Sequence, residues 1–488
     1  MDELRKKTIV GSVWMLFERF GYLTIQFVSN LVLARLLMPD DFGAIGIMMV
    51  FITLSNILID SGFSASLIQK KEITEVDKST VFYINLIMSA FVYALIFFGS
   101  PLAADYFRMP ILEKLLRVLG VVVLIDALCA IQNTLLTREM NFKLLTQIKL
   151  FSIIIAASIA IYLAYSGWGI WALIIQYIIY STIRTSTTWI VSKWRPVFAF
   201  SKQSFRTLFG YGSKLLFSTF VAELYVNFQQ ILIGRFYTPS DLGYYSQARQ
   251  FQQIPTGTIS QVINSVAFPA YSKIQNEKQK LREMFRQNIR IVSFLNTPLM
   301  VLLAVVAKPL IIMLYSSKWI GSIEYFQFLC ICFGILLSIH QCSLSVLKAV
   351  GKSDYVLKLE IIKKILGVLL IIEGINIWGL WGILYALGFN SFIELFLNGY
   401  YVNKELNYSG FGQLLDLIPS LLCSLIAGLS SYYILNYYLS ESNPFISVVI
   451  TSILFLLFYL LLAFIGKVYG FNIFKKSIQK IISKKIKK

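Results

Sequence analysis

Three apolar stretches of the sequence carry polar side chains at helical spacing. Arg19, Tyr22, Gln26 and Asn30 fall at i, i+3, i+7 and i+11, with Glu18 adjacent. Thr219, Glu223, Asn227 and Gln230 share a second face, with Lys214 upstream. Arg249, Gln253, Thr256, Ser260 and Asn264 form a third, longer stripe, interrupted by Pro255 and Gly257. Each set lines one side of an α-helix. Polar stripes of this kind are costly against lipid and belong against protein or water. Arginine offers a planar fork of donors suited to phosphate or carboxylate, and the amides and hydroxyls beside it both donate and accept. Arg19 also has carboxylates with which it could simply tie helices together, Glu223 and Asp60. Asp60, Asp126 and Glu223 are acids in apolar surroundings, so they are either members of structural ion pairs or candidate sites for coupling to a proton or cation.

Other chemistry finds less support. His340 is the single histidine, so a multi-histidine metal site is impossible, and its mid-span position suits a hydrogen-bonded structural role or titration near neutral pH. The cysteines Cys129, Cys330, Cys332, Cys342 and Cys423 lie inside apolar runs without a C-x-x-C pair, which disfavours zinc and disulfides. There is no P-loop pattern. The longest expected external loop, near Gly99 to Lys114, is too short for a catalytic platform. The sequence thus predicts no enzyme, no metal and no cofactor. Asn390 and Glu394 share a later apolar stretch and could line a second polar surface, while Lys363 and Lys364 sit near a helix end where lysines snorkel.

The elements that carry these residues follow from composition. Of 488 residues, 57 % are hydrophobic and only 14 % charged, against about 25 % charged in soluble domains. This excludes an ordinary soluble enzyme and leaves a polytopic membrane protein. Fourteen spans are expected, at 10–37, 42–68, 79–100, 115–136, 149–165, 170–192, 207–236, 242–271, 289–316, 324–350, 356–375, 379–402, 413–435 and 445–466. The eighth, with Gln247, Arg249, Gln250, Gln252, Gln253 and Pro255, is the least apolar. The net charge of +19 supports keeping it. With the N-terminus inside, basic residues of cytoplasmic segments outnumber the external Arg108, Lys114 and Lys318 about ten to one. Without the eighth span that asymmetry collapses. Both termini are therefore expected in the cytoplasm. The same spread over short segments argues against nucleic acid, and the lysine-rich tail from Phe474 to Lys488 reads as an amphipathic helix on anionic membrane lipid. The first apolar run is too long for a cleavable signal and is expected to remain as a helix.

The chain is duplicated. Arg35-Leu-Leu-Met-Pro39-Asp-Asp41-Phe-Gly43 matches Arg235-Phe-Tyr-Thr-Pro239-Ser-Asp241-Leu-Gly243, sharing R-x-x-x-P-x-D-[FL]-G. Trp168-Gly-Ile-Trp171-Ala matches Trp378-Gly-Leu-Trp381-Gly. The implied fold is all-α: two six-helix lobes in the same orientation, 1–200 and 201–405, two further helices over 406–470, and a basic tail over 471–488. Like bundles related by an axis along the membrane normal suit alternating access. In the P-x-D-[FL]-G turn, Pro fixes φ, Asp caps the next helix and Gly permits close backbone approach. The tryptophans read first as membrane-interface anchors.

These repeated motifs, the 12+2 layout, and the stretch Leu33-Ala-Arg-Leu-Leu-Met-Pro-Asp-Asp-Phe-Gly43 with Asp60-Ser-Gly-Phe63 resemble the oligosaccharide flippases of the polysaccharide transporter family. That family belongs to the superfamily of multidrug/toxin extruders and the lipid II flippase, and the likeness is strongest to exporters of colanic acid and related exopolysaccharide or lipopolysaccharide units. The resemblance implies a transporter in the bacterial inner membrane. Its substrate would be an undecaprenyl-pyrophosphate-linked oligosaccharide moved to the periplasmic leaflet for later polymerisation and export by other proteins. On that reading Arg19 and Arg249 hold the pyrophosphate at different stages with Lys214 assisting, and Tyr22, Gln26, Asn30, Glu223, Asn227 and Gln253 meet the headgroup. A multidrug/cation antiporter or a lipid II flippase of the same superfamily remain as alternatives. The cationic character of the stripes favours an anionic lipid-linked substrate over a cationic drug.

Overall fold

The computed structural model describes residues 2–60, 62–70, 72–439, 441–473 and 475. The side chains of 2–13, 15, 16, 19, 211, 214, 215, 260–266 and 353 lie outside the description. The described residues are helical throughout, without a strand. They form two compact units, 1–243 and 244–488. The first contains α1 (Asp2–Leu36), α2 (Pro39–Asp60), α3 (Phe63–Gln69), α4 (Glu75–Phe107), α5 (Ile111–Leu119), α6 (Val121–Arg138), α7 (Phe142–Tyr165), α8 (Trp171–Val191) and α9 (Lys202–Phe236). α10 (Pro239–Lys273) begins there and runs into the second unit. That unit continues with α11 (Lys278–Val305), α12 (Ala307–Tyr315), α13 (Ser322–Phe328), a π-helical turn over Leu329–Gly334, α14 (Ile335–Ala349), α15 (Ser353–Leu406), α16 (Gly410–Tyr438) and α17 (Pro444–Ile465). The division after Gly243 and the repeat boundary expected at 200/201 differ chiefly by α9, which packs on α2, α3 and α4.

Nine helices among the described residues are long and apolar enough to cross a membrane, and Phe20–Leu36 forms a shorter apolar helix. Other expected spans, at 170–192, 242–271, 356–375 and 379–402, are also helical. Two expected spans are divided. The 42–68 run ends at Asp60, because Gly62 turns left-handed (φ 73°) and Asp60 caps the short α3. The 289–316 run breaks at Val306 into α11 and α12. There Pro309 has no N–H to offer the Val305 carbonyl. Conversely, the 54 residues of α15 are two helices. Gly379 sits at φ 60°, ψ −137°, and the backbones of Gly374 and Gly382 touch. In one straight helix, residues eight apart would stand about 12 Å apart, so the chain doubles back here.

Both sequence repeats have local physical causes. At the start of α10, Thr238 and Asp241 make a reciprocal capping box: Asp241 N–H donates to Thr238 Oγ1 and Thr238 N–H to Asp241 Oδ2, each 3.2 Å. At the start of α2, Asp41 accepts the corresponding bond from Met38 N–H (3.0 Å). In both copies Pro is the first helical residue, where its missing donor costs nothing, and Asp is the third. The two turns also meet. A Cβ on Gly43 would collide with the Pro239 carbonyl and one on Gly243 with the Pro39 carbonyl, while Ser240 Oγ bonds the Asp40 carboxylate. In the W-G-x-W repeat the shared element is the glycine. Gly169 (φ 55°) and Gly379 (φ 60°) both lie in the left-handed half of backbone space, which glycine alone enters without a steric cost.

Candidate functional site

In the first unit, polar groups gather where α1, α6 and α8 come together. Arg184 of α8 pairs with Asp126 of α6, Nη2 to Oδ1 2.7 Å, with both side chains about one-fifth exposed. Ser181 Oγ also donates to Asp126. The guanidinium lies 5.4 Å from the Tyr180 ring centroid and 3.8 Å from Cys129 Sγ. Tyr180 in turn packs at 6.1 Å on Tyr22 of α1. Further along the same seam Gln176 Nε2 donates to Ser29 Oγ (3.1 Å). Tyr22, Gln26 and Asn30 are all half-buried, and Asn30 Oδ1 is a buried acceptor with no protein partner. One turn before Tyr22 on the same helix, Glu18 meets the ammonium of Lys149 of α7 at 2.5 Å. Such a seam offers stacking, hydroxyl and amide contacts next to a partly exposed cation, which is the chemistry of a sugar-phosphate or other polar anionic ligand.

Asp126, on sequence grounds either a member of a structural ion pair or a candidate for coupling, is paired with Arg184. The signal lay in the sequence: Arg184 is the lone charge of an otherwise uncharged span. Asp60 has a different role, accepting from Ser64 N–H (3.2 Å) and Ser64 Oγ (2.5 Å), while Thr134 of α6 donates to the same hydroxyl (2.8 Å). It therefore links the end of α2 to α3 and α6. On α9, Asn227 Nδ2 donates to the Glu223 carbonyl (2.8 Å) and approaches its carboxylate (3.4 Å). Glu223, Asn227 and Gln230 are half-buried. α1 packs on α7, whereas α9 packs on α2, α3 and α4. The Arg19 and Lys214 side chains lie outside the described residues, as do those of Ser260 and Asn264.

In the second unit Arg249 is half-buried, with Nη1 3.3 Å from Tyr245 Oη. Gln253 is exposed beside it, but Thr256 turns inward and is fully buried, bonding the Gln252 carbonyl (3.0 Å). Residues of the third stripe are therefore buried unequally along one side of α10. Gln252 is buried against the π turn, and Asn296 of α11 donates to the Gly334 carbonyl there (2.9 Å). His340 is buried and hydrogen-bonds Ser391 Oγ at 3.0 Å. Asn390 Nδ2 donates to Glu394 (3.0 Å). Lys363, expected to snorkel, is instead buried and pairs with Glu360 at 2.7 Å.

An all-helical chain of long apolar helices that carry paired charges and amides within them is a multi-pass membrane protein. The model of one family, described as polysaccharide biosynthesis protein, matches residues 32–324, and the chain belongs to that family. It is similar to the teichuronic acid biosynthesis protein TuaB of Bacillus subtilis (strain 168), with 27 % identity covering 72 % of this chain and 74 % of that one. It is also similar to the lipopolysaccharide biosynthesis protein WzxC of Escherichia coli (strain K12), with 25 % identity covering 84 % of each. Among solved structures it shares the fold of the lipid II flippase MurJ in an inward closed conformation. The TM-score is 0.73 at 18 % identity, covering 94 % of this chain and 98 % of that one.

Proposed function

We propose that this protein is a transporter, not an enzyme, that flips an undecaprenyl-pyrophosphate-linked oligosaccharide unit from the cytoplasmic to the periplasmic leaflet of the bacterial inner membrane. The unit feeds surface polysaccharide biosynthesis, as exopolysaccharide, capsule or lipopolysaccharide. Polymerase and export proteins act after it. The observation that carries this reading is the family match, made by a chain whose apolar helices hold half-buried amides, tyrosines and arginines. A sugar-pyrophosphate cannot enter hydrocarbon unaided, because each hydroxyl and phosphate it strips of water must be matched by a protein partner. The prenyl chain can stay in lipid. The transporter works with fourteen spans and both termini in the cytoplasm, by alternating access of two six-helix lobes. Tyr22, Gln26, Asn30, Glu223, Asn227 and Gln253 contact sugar, and Arg19, Lys214 and Arg249 contact pyrophosphate. Asp60, Asp126 and Glu223 are the candidates for coupling.

Deletion of the gene tests the class. Loss of surface polysaccharide with intact viability is expected. Loss of viability would point instead to lipid II, and drug sensitivity with intact polysaccharide to an antiporter.

A further inference from the structure

At the end of α17 the chain turns back across the second unit. Lys467 N–H bonds the Phe464 carbonyl (3.2 Å) and Val468 N–H the Ala463 carbonyl (3.0 Å), the closure that usually places glycine in its left-handed position. Here that position is Lys467, at φ 50°, although a glycine, Gly466, stands one residue earlier. A lysine adopts this conformation only at a steric cost. The turn cannot lift away easily, since Gly470 is buried so tightly on Phe294 that a Cβ would overlap that side chain.

Between the turn and the neighbouring helices lies a cavity of about 310 Å³ lined by Arg290, Asp416, Ser420, Lys467, Tyr469 and Asn472, among others. Its one carboxylate is already consumed. Asp416 receives Arg286 Nε (2.6 Å), Arg290 Nε and Nη2 (2.8 and 2.6 Å) and Tyr408 Oη (2.6 Å). Two guanidiniums on one carboxylate leave a positive excess, and Lys467 adds to it. Arg290 is fixed further by the Tyr469 ring, 5.1 Å from its guanidinium carbon. Its Nη1 has no partner among the described residues, and neither does the Lys467 ammonium. On the last turn of α17, Phe464 and Ile465 are exposed. A positively charged cavity thus stands where the apolar surface of a membrane helix ends, the depth at which lipid phosphates lie.

We propose that this cavity binds the phosphate of an anionic glycerophospholipid, held by Arg290 and Lys467 with its acyl chains along α17. The site is independent of the transport reading. Anchoring by the chains distinguishes it from a site for free phosphate.

The full-length protein is reconstituted in phosphatidylcholine vesicles with or without phosphatidylglycerol, and retained phosphatidylglycerol is counted by native mass spectrometry. Lys467→Gly keeps the left-handed turn while deleting the cation. It is expected to weaken phosphatidylglycerol retention about fivefold, the contribution of one cation near a lipid surface. Its melting temperature in pure phosphatidylcholine is expected to be unchanged or raised, as relief of the turn predicts. Lys404→Gln, an exposed lysine elsewhere, is expected to retain phosphatidylglycerol normally, and inorganic phosphate added to pure phosphatidylcholine vesicles to give no stabilisation. Normal retention by Lys467→Gly would overturn the proposal. So would equal loss by Lys404→Gln, which would mean diffuse attraction, or stabilisation by inorganic phosphate alone.

Discussion

The Arg184–Asp126 pair makes a quantitative test of how the first unit is held. Its 2.7 Å contact is buttressed by Ser181 and by the Tyr180 ring. Removing one partner of a fully buried pair costs about 3–5 kcal/mol, because the other charge is stranded. Exposed pairs are worth about 1 kcal/mol or less. With side chains 18 % and 20 % exposed, the pair falls between, and Arg184→Gln or Asp126→Asn alone should destabilise the protein by about 2–3 kcal/mol. In the double variant two amides face each other and no charge is stranded. It should cost no more than either single change, which requires a coupling energy of about 2–3 kcal/mol. Unfolding of the four purified proteins in one detergent, followed by intrinsic fluorescence, measures the cycle. Strictly additive single losses would refute the reasoning, since they would mean that the two groups do not sense each other.

Three further outcomes follow from packing. Gly43→Ala places a methyl on the Pro239 carbonyl and should cost about 1–3 kcal/mol by forcing the two helix starts apart; wild-type melting would show that the turns do not meet as described. Asp416→Asn leaves two guanidiniums on a neutral amide whose parent side chain is only 6 % exposed. It should cost about 2–4 kcal/mol, the upper limit being reduced because Arg286 is half in solvent. An unchanged melting temperature would contradict this. Gly379→Ala, at a φ/ψ open only to glycine, should lower stability by about 1–3 kcal/mol, and a neutral result would argue that the helix hairpin is not at that residue.

Much of this architecture is visible in one-dimensional terms, for physical reasons. Apolar runs mark most helices, and the hairpin near Gly379 and the turns at Pro39 and Pro239 are signalled by proline and glycine at fixed offsets. What sequence spacing does not carry is the third dimension. Arg184 lies 58 positions from Asp126, and nothing local announces that they touch. Thr256 shares a helical stripe with Arg249, yet the two stand about 10 Å apart along the helix axis, and what each meets there is set by tertiary packing that spacing does not record. Lys363 is placed by length and position where lysines usually reach for water, and only its Glu360 partner allows it to be buried. The division of the 42–68 run was present in Gly62 but masked by the continuous hydropathy around it. The glycines of the P-x-D-[FL]-G turns signal a need for space at Gly43 and Gly243, but not that the space is filled by the other copy of the turn.

The central claim is movement of a lipid-linked oligosaccharide across the bilayer, and a leaflet-specific assay tests it most directly. Vesicles containing the purified protein are loaded on one side with undecaprenyl-pyrophosphate-linked oligosaccharide, and arrival in the opposite leaflet is read with a glycan-modifying enzyme that cannot cross. Protein-dependent transfer, abolished by Arg249→Gln at equal reconstitution, is the predicted result. Transfer no faster than in protein-free vesicles would contradict the account, and undiminished transfer by Arg249→Gln would remove that residue from it.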